Sequence, residues 1–267
     1  MNKKLSFIGS GNMAEAILKG VLTSKIIAAK NIICSDIDPQ RLKTLKKKYK
    51  IKTTNKNQEA VTFSDIIILS VKPQQINTII AEIKDLPLAK KSLISICAGI
   101  KLKKIEKILG KVSTIRVMPN SPALIGAGIS AISQGAYTSK ATLSYTQQIF
   151  KSIGEIIKIE EKHMDAVTAL SGSGPAYLFY FLEAMIEAGK KLKIKEEQAK
   201  KLALETFLGA AKLALSSKHD LKTLRGQVTS KGGTTEAALR TFEKQKLKSA
   251  FINGIKAAQK RSKELSK

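Results

Sequence analysis

Residues 5–14 read Leu5-Ser6-Phe7-Ile8-Gly9-Ser10-Gly11-Asn12-Met13-Ala14. An apolar run stops at a glycine, and helical spacing begins directly after it. Met13, Ile17, Leu18 and Val21 fall on one side of residues 13–22. A G-x-G-x-x-A pattern in that context predicts a strand, a tight turn and a helix, the arrangement of a dinucleotide site. Each small residue has a physical task there. Gly9 permits the turn, Gly11 lets backbone approach a pyrophosphate, and Ala14 keeps the helix close to the sheet. The helix start offers unpaired N–H groups and a partial positive charge to phosphates. A plain glycine turn would use the same letters, and the flanking strand and helix favour the binding loop.

Outward from this loop the pattern repeats. Residues 31–35 form a second apolar run that ends at Asp36, and residues 39–49 form a basic helix. Residues 66–71 are an unbroken apolar run that stops at Lys72-Pro73, as in a parallel strand covered on both faces. Residues 92–97 and 114–118 repeat the pattern, stopping at Gly99 and Pro119. Strands alternating with helices predict an α/β domain built on an open parallel sheet. Ligands of such sheets bind outside the carboxyl ends of the strands. Ser70-Val71-Lys72-Pro73, Cys97-Ala98-Gly99 and Met118-Pro119-Asn120 therefore share an edge with the glycine loop. Asp36 ends the second strand, where an acid accepts hydrogen bonds from the adenine-ribose hydroxyls and favours NAD over NADP. Ser35, Arg41 and Lys43 are placed to hold a 2′-phosphate instead, so the cofactor preference stays open.

After about residue 159 the texture changes. Residues 164–170, 176–192, 195–216 and 234–266 carry helical periodicity, and no strand is evident. Two glycine-rich breaks interrupt them. In Ser171-Gly172-Ser173-Gly174-Pro175 the proline suits a first helical turn, with Ser173 as cap. Ser230-Lys231-Gly232-Gly233-Thr234-Thr235 leads into another helix, whose opening N–H groups suit a carboxylate, with the Thr235 hydroxyl beside them.

Composition sets bounds on function. The chain has 267 residues and a formal net charge of +26, from 47 basic and 21 acidic residues. That balance raises nucleic acid as a partner. Only Arg41, Arg116, Arg225, Arg240 and Arg261 are arginines, however, and the lysines are spread evenly. Across residues 5–18, 64–73, 92–100, 113–136, 164–181 and 226–239, which carry the motifs, the basic residues are Lys72, Arg116 and Lys231. Glu15, Asp65, Asp165 and Glu236 oppose them. The excess lysine reads as solvated helix and loop faces. Cys34 and Cys97 are the two cysteines, consistent with a reducing compartment. Cys97, inside an apolar run, reads as a small buried hydrophobe. His163 and His219 are far apart, so no metal site is expected, and His163 reads as structural. No apolar run approaches the ~18 residues of a membrane helix. The first residues break at Gly9 too early for a signal peptide, and a cytoplasmic protein is expected.

Taken in order, these motifs resemble the pyrroline-5-carboxylate reductases: residues 9–14, Val71-Lys72-Pro73, Ala98-Gly99, Arg116-Val117-Met118-Pro119-Asn120, Asp165-Ala166-Val167-Thr168 running into residues 171–177, and residues 228–235. The resemblance covers nearly the whole chain. It implies an N-terminal Rossmann domain with a parallel sheet over residues 1–159, then an all-α dimerisation and substrate domain over residues 160–267. It also implies reduction of 1-pyrroline-5-carboxylate, a cyclic imine, with NADPH or NADH, the last step of proline biosynthesis. The implied assembly is a homodimer with active sites at its interface, and beyond it a larger ring of dimers, with no nucleic acid and no membrane as partner.

Carried over residue by residue, the resemblance puts cofactor contacts on Gly9, Ser10, Gly11, Asn12, Met13 and Ala14. Nicotinamide-side contacts fall on Val71, Lys72, Pro73, Cys97 and Ala98, and an adenine-ribose contact on Asn57. Asn120 and Gln227 join them, with Ser35 and Asp36 from the strand-end reading. Substrate contacts fall on Glu161, Ser173, Gly174, Gly232, Gly233, Thr234 and Thr235. The Thr235 hydroxyl is expected at the ring nitrogen. Two departures stand out. Lys231 replaces a usual proline, and Asp36-Ile37-Asp38 replaces a basic or small polar residue. A hydroxyacid or other imine dehydrogenase of similar layout is an alternative. The hydroxyacid enzymes use a helical lysine with an asparagine one turn later, and residues 176–188 contain neither. An anionic-surface or nucleic-acid binder is an alternative of another class.

Overall fold

A computed structural model describes residues 1–265. Up to Lys158 short strands alternate with helices: β1 (Leu5–Ile8), α1 (Asn12–Thr23), β2 (Ile32–Ser35), α2 (Pro39–Tyr49), β3 (Lys52–Thr54), α3 (Asn57–Phe63), β4 (Ile66–Leu69), α4 (Ile76–Ile83), β5 (Ser92–Ser95), α5 (Leu102–Leu109), β6 (Ser113–Met118), β7 (Gly128–Gln134), α6 (Lys140–Lys151) and β8 (Gly154–Lys158). The strands form one sheet in the order β3-β2-β1-β4-β5-β6-β7-β8.

Period-two alternation explains why the central strands read as solid apolar runs. In β4, Ile66 and Ile68 enter one core cluster, while Ile67 and Leu69 enter the other. Leu5 and Phe7 of β1 join the first cluster and Ile8 the second. Helix α1 adds Ala14, Ile17, Leu18 and Val21 to the first, with Leu42 and Leu45 of α2 and Ile149 and Phe150 of α6. Val61 of α3, Ile76, Ile80 and Ile83 of α4, and Ile105 of α5 fill the second. Each side chain of this size contributes about 1.5–3 kcal/mol by leaving water.

The sheet is parallel except at one pair. β6 and β7 run antiparallel, whereas β7 and β8 are parallel. Between Met118 and Gly128 the chain makes only the 3-10 turn Ser121–Ile125. A parallel return needs a crossover of about a dozen residues or more, so the strand must reverse. Three strands lie outside the predicted set. β3 is a polar edge strand, and β7 and β8 follow the reversal. β8 is half exposed and carries Glu155 and Lys158.

The remainder is helical: α7 (Met164–Val167), α8 (Gly174–Lys191), α9 (Glu196–Ser216), α10 (Leu221–Gln227), α11 (Thr234–Lys244) and α12 (Leu247–Leu265). The break expected at Ser171–Pro175 is instead a π turn, Thr168–Gly172. The Ser173 N–H donates to Thr168 O at 2.8 Å, so Ser173 continues the winding rather than capping a new helix. The single helix expected over residues 234–266 is two helices. Lys246 stands between them in the left-handed region, at φ 55°. Ser266 lies outside the described residues.

By packing, the chain divides into two units. One is Met1–Ser173 with the end of the chain from Ala258, and the other is Gly174–Ala257. The sequence places the domain boundary earlier, after Ile159. Residues 160–173 pack with the sheet unit because their polar groups are held there. The Asn120 amide donates to Ser171 Oγ at 3.3 Å, and the Ser262 hydroxyl of α12 donates to Asp165 Oδ1 at 2.8 Å.

The helical unit closes little core of its own. Among its described residues the buried apolar side chains are Leu182, Ala199 and Ala203. Tyr180, Leu192 and Leu215 are 72, 75 and 88% exposed. Tyr177, Phe181 and Phe251 line an apolar groove of about 310 Å³ between α8 and α12. Exposed apolar surface on this scale marks an association surface.

Phe150, fully buried against the first face of the sheet, tests the core assignment. Phe150→Ala should cost about 3–5 kcal/mol of unfolding free energy. Denaturant titration at fixed protein concentration measures it, and a cost near zero would place Phe150 outside the core.

Candidate active site

The strand order reverses between β1 and β4, and the loops that follow these neighbours open a crevice. Hydrogen bonds stitch the two strand ends together. The Ser70 hydroxyl donates to Ile8 O at 3.1 Å and to Gly9 O at 2.5 Å. Gly9 has φ 84°, and a Cβ there would stand 2.7 Å from Ser70 O. Glycine is required on both counts. Gly11 follows as the N-cap of α1, with no side chain to cap the helix. A Cβ on Gly11 would meet nothing within 4 Å, so open space adjoins the free N–H groups of α1. A pyrophosphate fits that cradle.

The crevice is a cleft of about 370 Å³. Of the expected cofactor residues it brings together Gly9, Ser10, Gly11, Asp36, Asn57, Val71 and Lys72. Gln75 and Ile79 also line it and were not singled out from sequence. Their four-residue spacing after Pro73 was the available signal. Asn12, Met13 and Ala14 form the first turn of α1, and Ala14 is buried against the sheet.

A polar network surrounds the second strand end. Asp36 Oδ2 accepts the Ser10 N–H at 2.7 Å, and Oδ1 accepts the Asp38 N–H at 3.0 Å. The Ser35 hydroxyl donates to Asn57 Oδ1 at 2.7 Å, and Asn57 Nδ2 donates to Glu82 Oε2 at 2.7 Å. Arg41 Nε donates to Ser10 O at 2.6 Å, and its Nη2 lies 2.6 Å from Glu15 Oε2. Lys48 and Tyr49 both donate to Glu15 Oε1 at 2.8 Å. Partial burial raises the Glu15 carboxyl, but hydrogen bonds from Lys48, Tyr49 and Arg41 outweigh it and bring the pKa down to about 2.

The other expected residues of the sheet unit are placed as follows. Pro73 opens a 3-10 turn directly after Lys72. Cys97 is buried, its thiol donating to Leu69 O at 3.5 Å and its N–H to Ser95 Oγ at 3.4 Å, and the loop of Ala98 and Gly99 follows it. Asn120 uses both ends of its amide within the protein. Oδ1 accepts the Ile129 N–H at 2.9 Å and Nδ2 reaches Ser171. Glu161 Oε1 accepts the Leu102 N–H at 2.6 Å, at the first turn of α5, and lies 3.4 Å from Arg116 Nη1. Arg116 is only 3% exposed, and its Nη2 has no partner. The Glu161 carboxylate thus secures the end of the loop that begins at Cys97. Sequence gave no signal for that pairing.

Gln227, exposed at the end of α10, belongs to the helical unit, as do Gly174 and the residues around α11. Gly232 has φ 75°, and Gly233 is the N-cap of α11 without a side-chain cap. Glu236 folds back so that its Oε2 accepts the Gly232 N–H at 2.7 Å, while Arg240 reaches its Oε1 at 3.1 Å. The opening N–H groups of α11, from Thr234, Thr235 and Glu236, remain for an anion. Thr235 is half-buried beside them. Lys231 is exposed.

A glycine cradle at the switch point of a mainly parallel sheet, with an acid at the neighbouring strand end, defines a Rossmann-type nicotinamide-dinucleotide oxidoreductase. A family model described as "Pyrroline-5-carboxylate reductase dimerisation" matches residues 161–265, and one described as "NADP oxidoreductase coenzyme F420-dependent" matches residues 4–99. Pyrroline-5-carboxylate reductase of Synechocystis sp. is 38% identical over 270 residues, covering 100% of both chains. That of Pisum sativum is 39% identical over 263 residues, covering 98% of this chain and 96% of its own. The chain belongs to the pyrroline-5-carboxylate reductase family, and it carries the dimerisation domain of that family, which supports homo-oligomerisation. Among solved structures, a pyrroline-5-carboxylate reductase from Coxiella burnetii superposes with a TM-score of 0.92 at 35% identity, covering 100% of both chains. A Plasmodium falciparum pyrroline carboxylate reductase with NADP bound gives 0.91 at 33% identity, covering 100% of this chain and 99% of that one. Prephenate dehydrogenase from A. aeolicus, at 15% identity and 0.59, shares the fold alone. No helix of the described residues is long and apolar enough to cross a membrane.

Two outcomes test this electrostatic picture. Burial pushes the Cys34 thiol up to about 12 and the Cys97 thiol up to about 11. Neither should react with iodoacetamide in the native protein at about pH 8, and both should react after unfolding, because the thiolate is the nucleophile. Rapid native labelling of Cys97 would contradict its placement. For Glu15 the folded pKa is depressed, so its stabilisation is present above the ordinary 4.5 and is lost as pH falls toward about 2. Glu15→Gln should flatten the fall of unfolding free energy over that window. An unchanged slope would remove the network from the acid response.

Proposed function

We propose that this chain reduces 1-pyrroline-5-carboxylate to L-proline with NADPH or NADH, the last step of proline biosynthesis. The observation that carries the substrate is the start of α11, where two glycines precede Thr234 and Thr235 and leave backbone N–H groups for a carboxylate. Near-complete coverage by reductases of this family supports the same reading.

The imine nitrogen enters protonated, which makes the adjacent carbon an electrophile. When bound, the reduced dinucleotide supplies a hydride to that carbon. The protein has no proton to deliver in this step, so its work is holding, orienting and excluding water. Gly9, Ser10 and Gly11 with the first turn of α1, from Asn12 to Ala14, hold the pyrophosphate. Ser35, Asp36 and Asn57 are assigned to the adenine ribose. Val71, Lys72, Pro73, Cys97, Ala98, Asn120 and Gln227 are assigned to the rest of the cofactor. The N–H groups at the start of α11 hold the substrate carboxylate, with Ser173 and Gly174 assigned to the same ligand, while Glu161 is assigned to securing the loop before α5 beside Arg116. The Thr235 hydroxyl orients the ring nitrogen. Residues 1–159 and 160–267 are the proposed cofactor and substrate domains. A homodimer, and beyond it a ring of dimers, is the proposed assembly in the cytoplasm, without a nucleic-acid partner.

The test follows nicotinamide oxidation with pyrroline-5-carboxylate, using each cofactor separately. No oxidation with either would overturn the reading. Thr235→Ala should lower kcat/KM roughly 10–100-fold, about 1.4–3 kcal/mol, while Thr235→Ser keeps most of it. An unchanged value for Thr235→Ala would remove this hydroxyl from the mechanism.

A further inference from the structure

Asp36 and Arg41 pull in opposite directions on the choice of dinucleotide. A carboxylate at this strand end accepts from the ribose hydroxyls, whereas an arginine there pairs with a 2′-phosphate. The side-chain geometry separates the two roles. All the polar contacts of the Arg41 side chain run into the glycine loop and the first turn of α1. Nε donates to Ser10 O at 2.6 Å, and Nη2 lies 3.3 Å from Gly11 O and 2.6 Å from Glu15 Oε2. The pair is largely sheltered, with 22% and 20% of the Arg41 and Glu15 side chains exposed. Glu15 is itself fixed by Lys48 and Tyr49. Turning Arg41 toward a ligand would therefore break a network that ties α2 to α1.

The cleft beside Asp36 is acidic. Asp36 and Asp38 both line it, and Glu82 stands behind Asn57. Lys72 is the cation of that lining, on the opposite strand end, and Lys43 is exposed on α2 outside it. The Asp36 oxygens each accept one backbone N–H, and each keeps a lone pair for a ribose hydroxyl. A 2′-phosphate would bring a charge of about −1.5 to −2 against the same carboxylate.

We propose that Asp36 reads the 2′ position while Glu15 latches Arg41 onto the phosphate loop, so that this chain selects NADH over NADPH. Arg41 is then a positioning residue for Ser10 and Gly11, and Asp36 and Glu15 determine specificity. This rests on the assignment of the cleft to a dinucleotide, and only the turnover reading depends on the imine substrate.

Calorimetric titration of the full chain with NADH and with NADPH tests it by binding alone. NADH should bind at least about tenfold more tightly. Asp36→Asn, which keeps an acceptor for the Ser10 N–H, should close most of that gap, and Asp36→Ser should do the same. Adding Glu15→Gln should favour NADPH further by freeing Arg41, and Arg41→Met in that background should erase the gain. Arg41→Met alone should weaken both dinucleotides in equal proportion. Equal or tighter NADPH binding by the unaltered chain would overturn the proposal with the reductase reading intact. Selective loss of NADPH in Arg41→Met would overturn it too, by showing that Arg41 holds the phosphate. Binding of neither dinucleotide overturns both readings. Tight NADH binding without turnover of pyrroline-5-carboxylate supports the selection and sinks the substrate.

Discussion

Between β1 and β4 there is no room for a Cβ, and the chain must turn there with a positive φ. Gly9 meets both conditions, and the Ser70 hydroxyl closes the junction from the other strand. The strand order runs outward in both directions from this pair, so the segments after β1 and β4 leave to opposite faces of the sheet. The crevice is the space that divergence leaves. The first turn of α1, the acid ending β2 and the Lys72 loop after β4 all take their positions from this one close approach. A larger residue at Gly9 would push against Ser70 and Val71 and displace the strand ends that flank the cleft.

The parts of the fold that sequence made legible are those where burial is symmetric. β1, β2, β4, β5 and β6 lie inside the sheet, so both faces demand apolar side chains and the runs announce themselves. β3 at one edge needs no such run, with Lys52, Thr53 and Thr54 partly in water. The reversal into β7 depended on the shortness of residues 119–127 rather than on any residue type. Helix positions were legible from periodicity, but their interruptions were not. Lysine carries no preference for the left-handed region, so the corner at Lys246 left no mark. The π turn at Thr168–Gly172 hides behind a glycine-serine pattern that ordinarily means a break.

Side-chain identity and side-chain direction proved to be different kinds of information. The sequence placed Arg41 near a nucleotide, yet its guanidinium faces backbone carbonyls and Glu15. Glu161 came forward by resemblance as a substrate contact, and its carboxylate is engaged at the start of α5 and beside buried Arg116. Both cases involve long, charged side chains with several reachable partners. Which partner wins depends on the desolvation of each group in three dimensions, and spacing along the chain does not encode that.

The thin core of the helical unit has a thermodynamic corollary. A segment that buries little more than Leu182, Ala199 and Ala203 within its own chain, and that matches a dimerisation domain, gains cohesion when a second copy covers it. Its folding equilibrium then contains a bimolecular term, and its melting temperature becomes a function of how much protein is present. A cell that makes little of this protein would therefore hold a less stable protein as well as a scarcer one, so that synthesis rate and persistence rise and fall together.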